Sequence, residues 1–249
     1  MVINISDSQP VTTALSKNWP MTKIKINGTS LLSSELTVQL SNALDQAEDL
    51  GQSSILLVRI VGNANPNVLR VWPGRTDIQS VNRWERILRR IERANVITIA
   101  VVEHACSALA LELLLVADRR LATSTFSMQC SIPGGEVWPS MALHRLVRQI
   151  GESQARKMVL DSSDITAQRG LELSIIDQIV DDLQDGNSTA LLLAYAPSHD
   201  FPTRRRLILD GASSSFDEAL GAHLAACDRA LRRSSSVAAA TGENGNSDI

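Results

Sequence analysis

A carboxylate at position 112 stands in a run that is otherwise apolar, Leu109 to Ala117. A charge in such surroundings is expensive unless it is paired or used. Burial also raises a carboxyl pKa toward the range where the group can take and return a proton near neutral pH. Glu112 is therefore the candidate general acid or base, set against the plainer reading of a Glu on the exposed stripe of an ordinary helix. His104 lies two residues from Cys106, but neighbours two apart on a strand entering a turn rarely make a nucleophile–base pair. No G-x-S-x-G elbow, phosphate loop or dinucleotide fingerprint occurs. The three cysteines, Cys106, Cys130 and Cys227, lack C-x-x-C spacing, so neither a zinc site nor a disulfide framework is predicted. No metal is expected, and a reducing compartment, the cytoplasm, is the natural setting.

The elements that must hold Glu112 in place alternate along the chain. Lys23 to Ile26 alternates polar and apolar, as a half-buried strand does. Leu36, Leu40, Ala43, Leu44 and Ala47 recur at helical spacing, with Ser33 or Ser34 as cap and Gly51 at the end. Ser54–Val61 and Val96–Val102 read as fully buried strands. Between them lies an irregular stretch, Gly62–Thr76, then a helix with Val81, Trp84, Ile87, Leu88 and Ile91 on one face. Ala108–Ala117 reads as an apolar helix. Further helices fit Pro139–Ile150 and Glu152–Leu160, and Ile175–Val180 is a late strand. A last helix carries Phe216, Leu220, His223, Leu224, Cys227 and Leu231. His144 and His223 sit at helical core spacing and are expected to pack inside. Repeated strand-then-helix units imply parallel strands with helices outside, an α/β fold. The expected organisation is a flexible segment 1–20, a core 21–196, a helical region 197–233 and a disordered tail 234–249.

The bulk properties exclude several classes. The chain has 249 residues, 44% hydrophobic and 20% charged, with a formal net charge of −3. That balance, with 3% aromatic residues, argues against a nucleic-acid binder. No run approaches the roughly 18 apolar residues of a membrane helix, and no signal peptide is evident. Arg83, Arg86, Arg89, Arg90 and Arg93, interleaved with Glu85 and Glu92, read first as an ion-paired outer helix face. A docking surface for an acidic partner is the sharper alternative.

The run V-I-T-I-A-V-V-E-H-A-C-S-A-L-A-L-E-L-L-L-V-A-D, Val96 to Asp118, resembles the signature of the enoyl-CoA hydratase/isomerase (crotonase) superfamily, with Glu112 and Asp118 at the family's two acidic places. L-A-T-S-T-F-S, Leu121 to Ser127, resembles its short strand pair, and Ile165–Val180 its A-x-x-A-x-x-x-G-L-V-D segment. Three further runs, at 81–93, 138–151 and 215–233, resemble the branch that serves 3,5-dihydroxyphenylglycine biosynthesis, a glycopeptide-antibiotic building block.

The resemblance implies a spiral of repeated β-β-α units with a helical C-terminal extension, a homotrimer, and an acyl-CoA or polyketide thioester as substrate. No redox or metal cofactor is implied, and a type III polyketide synthase and related crotonase-fold enzymes are implied partners. It assigns catalysis to Glu112, and thioester-oxygen binding to the N–H groups of Gly74, in P-G-R-T-D-I, and Leu109. For Gly74 a plain Pro-Gly surface turn is an equal alternative, and Arg70 and Arg75 either meet CoA phosphates or are solvated. The family's second Glu is missing: its place falls near Cys130 or Ser131, with Glu136 a few residues on. The family's Gly-rich turn is replaced by Ser107-Ala108-Leu109-Ala110. Three functions stay open: assisting dehydration and aromatisation to 3,5-dihydroxyphenylacetyl-CoA, a non-catalytic partner of the synthase, and a fatty-acid enoyl-CoA hydratase.

Overall fold

The computed structural model describes residues 20–51, 54–66, 71–129, 137–162, 164–180 and 201–242. The chain divides into two compact units, Met1–Ser198 and His199–Ile249.

The first unit is built on a parallel sheet. Its strands are β1 (Met21–Asn27), β2 (Ile55–Val61), β3 (Ile97–Glu103), β5 (Arg119–Thr123) and β8 (Gln178–Val180), in the order β1-β2-β3-β5-β8. A smaller sheet holds β4 (Ala105–Cys106), β6 (Ser127–Met128) and β7 (Ile165–Thr166). The helices are α1 (Ser34–Asp49), α2 (Ile78–Arg93), α3 (Leu109–Leu114), α4 (Ala142–Ile150), α5 (Glu152–Asp161) and α6 (Ala167–Glu172). The chain leaves the large sheet at the end of β3, adds β4 to the small one, runs through α3 and returns as β5; β5 then repeats the excursion through β6. This alternation is the expected spiral of β-β-α units. The run Leu121–Ser127, read as a short strand pair, carries the end of β5 and the start of β6, and the two belong to different sheets.

Parallel pairing buries strands on both faces, and all seven residues of β3 are buried. Strand β2 falls short of the full burial expected, because Leu57, Arg59 and Val61 are only half-buried. The exception is resolved by pairing, since Arg59 Nη2 donates to Glu103 Oε2 at 2.9 Å. On the opposite face Ile26, Leu56, Ile60 and Val102 join Leu40 and Leu44 of α1 and Leu88 and Ile91 of α2 in one core. Each such side chain contributes about 1.5–3 kcal/mol by leaving water. Helix α1 buries the five residues its spacing picked out and is capped by Ser33, which accepts from the Leu36 N–H.

Helix α3 is shorter than expected, six residues, because the chain must turn back into β5. Asp118 closes that turn by accepting from the Thr98 N–H at 2.8 Å and the Thr98 hydroxyl at 2.9 Å.

The second unit contains α7 (Phe201–Gly211) and α8 (Phe216–Gly242). Helix runs to Gly242, past the boundary at 234 where disorder was expected; residues 243–249, like 1–19 at the other end, lie outside the described residues. His223 and His144 are both exposed, which corrects the expectation that they pack inside. On α8 the apolar residues of the same stripe are exposed too, Leu224 at 58% and Leu231 at 66%. On α4 the buried face consists of Ala142, Arg145 and Leu146, leaving His144 outside it.

Candidate active site

Glu112 lies on the first turn of α3 and is 3% exposed. The plainer reading, a solvated stripe, is thereby overturned. Two indole groups hold the carboxylate: Trp72 Nε1–H donates to Oε1 at 3.3 Å, and Trp84 Nε1–H donates to Oε2. The rings meet edge to face, with centroids 5.5 Å apart. The Ser140 hydroxyl interacts with the same carboxylate. Burial pushes the Glu112 pKa up and outweighs the donors, Ser140, Trp84 and Trp72, which pull it down; the negative charge of Glu85 adds to the rise.

Each donor has a reason to be where it is. Helix α2 starts at Asp77, whose carboxylate accepts from the Ser80 N–H, and its apolar period turns Trp84 inward with Ile87, Leu88 and Ile91. A buried indole needs an acceptor for its N–H, and Glu112 supplies one to each tryptophan. Ser140 stands just before α4, where its hydroxyl accepts from the Ala142 N–H at 3.1 Å and so keeps its own hydrogen for a second partner. Trp72 and Ser140 were not found from the sequence, and Trp84 was found only as a core residue. The legible signal was chemical: a lone carboxylate in an apolar run and buried indole N–H groups need one another.

The two expected donor turns are close to this carboxylate or its partner along the chain. Gly74 is two residues from Trp72, and Leu109 is the residue one helical turn before Glu112, so the Trp72–Glu112 bond draws both segments together. Gly74 has φ +79°, which favours glycine, and a Cβ there would come within 2.9 Å of the Leu31 side chain, which would have to shift. Leu109 needs no such freedom. Ala108 before it has φ −60°, and the left-handed residue of this stretch is His104, at φ 60°. Replacement of the family's Gly-rich turn therefore imposes no strain at Leu109. Among the described residues neither the Gly74 nor the Leu109 N–H has an acceptor.

The turn before α3 is tied to β1. Ser107 donates twice to the Gly28 carbonyl, from its N–H at 2.8 Å and its hydroxyl at 3.0 Å. Ala105 and Asn63 exchange backbone hydrogen bonds. Cys106 is buried, its thiol pushed up to about 12 by desolvation and by the Glu103 charge, and it is no nucleophile. Its sulfur donates to the Glu103 carbonyl at 3.6 Å, not to His104.

A cleft of about 670 Å³ opens at the C-terminal ends of β1 and β2, lined by Lys25, Asn27, Thr29, Leu31, Ser33 and Asn63 among others. Leu31 joins it to the Gly74 turn, and Asn63 joins it to the β4 segment that leads to Leu109. In parallel α/β sheets ligands bind outside the carboxyl ends of the strands. Arg75 is exposed. Arg70, Cys130, Ser131 and Glu136 lie outside the described residues. Among the described residues no three His, Cys, Asp or Glu side chains gather as a metal site would require, and no helix is long and apolar enough to cross a membrane.

The Arg helix departs from its expected self-pairing. Glu85 and Glu92 pair with the buried Arg145 of α4, whose Nη2 lies 2.6 Å from Glu85, and Arg90 pairs with Asp45 and Glu48 of α1.

Comparison with known proteins gives a consistent set of likenesses. Residues 74–228 match the family model described as Enoyl-CoA hydratase/isomerase. A protein of Amycolatopsis orientalis named Enoyl-CoA-hydratase is 36% identical over 213 residues, covering 84% of this chain and 95% of that protein. The structure of an enoyl-CoA hydratase from Mycobacterium smegmatis superimposes with a TM-score of 0.71 at 13% identity, over 85% of this chain and 87% of that one. A Thermobifida fusca protein solved in complex with acetoacetyl-CoA superimposes with a TM-score of 0.68 at 16% identity, over 88% and 94%. At these identities the two structures speak to the fold alone.

Proposed function

The chain belongs to the enoyl-CoA hydratase/isomerase family, and from that footing we propose that it acts on an acyl thioester, with Glu112 as the acid/base. The single observation that carries the reading is the Glu112 carboxylate, 3% exposed yet held by two oriented indole donors. The thioester oxygen takes the N–H groups of Gly74 and Leu109, which are donors fixed before the reaction begins. The CoA or pantetheine end occupies the cleft at the ends of β1 and β2. Glu112 removes a proton from the α carbon and charge moves onto the thioester oxygen. The enolate then re-forms its carbonyl as the C–O bond at the β carbon breaks, and the same proton, returned by Glu112, leaves with the β-hydroxyl as water. One carboxylate suffices for this elimination, and no metal or redox group enters it.

The substrate we assign is a polyketide-derived thioester on the way to 3,5-dihydroxyphenylacetyl-CoA, and the protein works as a homotrimer. The runs at 81–93, 138–151 and 215–233 support this branch. In a reconstituted system of malonyl-CoA, a type III polyketide synthase and this protein, Glu112→Gln lowers formation of the aromatic thioester by about 10²–10⁴-fold, the usual contribution of a positioned acid/base. Formation at an unchanged rate by a folded variant removes Glu112 from the mechanism.

A second reading is favoured by the clamp itself. Both oxygens of Glu112 already accept indole hydrogens, which is also how a buried structural carboxylate is satisfied. On that reading the protein aids the synthase by contact, and acceleration survives Glu112→Gln. A third possibility, fatty-acid hydration, requires fast hydration of crotonyl-CoA, a reaction we expect to be slow here.

A further inference from the structure

We propose that the solvent face of α2 docks an acidic protein surface. Arg83, Arg86, Arg89 and Arg93 follow one another at steps of three and four residues, which places them along one side of the helix, and all four are exposed. A helix rich in arginine commonly neutralises itself through glutamates one turn away. Here Glu85 and Glu92 are turned to the other side, where both pair with Arg145 of α4. Arg90 is spent in the seam with Asp45 and Glu48 of α1. Among the described residues Arg86 and Arg89 have no carboxylate partner, and Arg83 donates to the Ser80 hydroxyl at 2.9 Å.

The result is a row of guanidinium groups on a chain whose formal net charge is −3. Glu85 and Glu92, which lie one turn from Arg89, are held by a buried arginine, and the charge of Asp77 at the helix start reaches Arg83, so Arg86 and Arg89 form the centre of the row. Guanidinium forks suit carboxylates in paired geometry, and steps of three residues match those of glutamates along an acidic helix. A nucleic acid fits this face poorly, since the molecule carries no basic excess and only 3% aromatic residues. The stripe is distinct from the Glu112 site, so its test does not depend on any reading of the chemistry.

The probe is a fluorescent helical peptide with glutamates at every third and fourth position, titrated with the full-length protein alongside a peptide carrying glutamines instead. The glutamate peptide binds and the glutamine peptide does not. Binding fades toward about 1 M salt, where the Debye length falls to roughly 3 Å. The triple variant Arg83→Gln, Arg86→Gln, Arg89→Gln binds roughly tenfold more weakly, the combined effect of three exposed pairs, while the matching Arg→Lys variant, which keeps the charge and loses the fork, recovers only part of the binding. A control with Arg156, Arg206 and Arg232 changed to Gln retains it. Equal weakening in that control overturns the proposal, as does no binding of the glutamate peptide. Tighter binding of a DNA duplex than of the peptide overturns it too, in favour of a phosphate backbone. All three stripe positions are exposed, and circular dichroism confirms that the variants fold.

Discussion

At the residue scale Glu112 sets two demands against each other. Desolvation favours the neutral acid, and indole and hydroxyl donors favour the carboxylate. The balance leaves the pKa above the ordinary carboxylate range, so the native state keeps this proton to higher pH than the unfolded chain does. The sign of the linkage follows. As pH rises from the ordinary carboxylate range through the raised native value, the folded state loses stability at this site, and above that value the whole penalty remains. Trp84→Phe keeps most of the ring volume but removes one donor. It raises the Glu112 pKa further, deepens the loss by about 1–3 kcal/mol at neutral pH, and moves the acid limb of the pH–rate profile upward. Urea unfolding from about pH 4 to about pH 8 measures the first effect. Glu112→Gln is the reference that shows no such slope at this site. An unchanged slope in Trp84→Phe means that the indole does not serve the carboxylate.

At the element scale the site depends on how α2 and α4 are fastened. Trp84 comes from α2 and Ser140 precedes α4, so their meeting at Glu112 requires the helices to hold a fixed spacing. Arg145 supplies the fastening. Its side chain is 6% exposed, and it reaches Glu85 through two hydrogen bonds and Glu92 through a third. Arg145→Met keeps much of the apolar stem but strands two carboxylates. We expect a loss of about 3 kcal/mol in unfolding free energy, the lower end for breaking a buried pair because both glutamates retain some solvent. The double change with Glu85→Gln should recover part of that loss. A variant cycle that shows no coupling between positions 85 and 145 would remove Arg145 from this role.

At the scale of the whole molecule the unit His199–Ile249 ends in α8, whose Phe216, Leu220, Leu224 and Leu231 are exposed at 79%, 41%, 58% and 66%. An apolar edge of this length is a liability in an isolated chain, and the proposed homotrimer would give it a use. Light scattering of the full-length protein should return three times the chain mass of 27.0 kDa. Leu224→Glu should lower that mass while leaving α8 helical by circular dichroism. A monomer at micromolar concentration rules the trimer out.

The sequence by itself determined the longer elements and the identity of the lone carboxylate. Those follow from periodicity, capping and composition, which are local: Leu36 to Ala47 defined α1, Ser33 or Ser34 its cap, and the unbroken apolar run the central strand β3. It also exposed Glu112 as an anomaly, because one charge in a greasy run is visible without coordinates. What only the tertiary structure decided was which distant groups answer that charge. Trp72, Trp84 and Ser140 are separated from Glu112 by dozens of residues or more than a helix, and no spacing rule joins them. The partners of Glu85 and Glu92, the exposure of His144 and His223, and the assignment of β5 and β6 to separate sheets were equally non-local. Hydrogen bonds and desolvation depend on what packs alongside, and packing is fixed only when the strands take their order in the sheet.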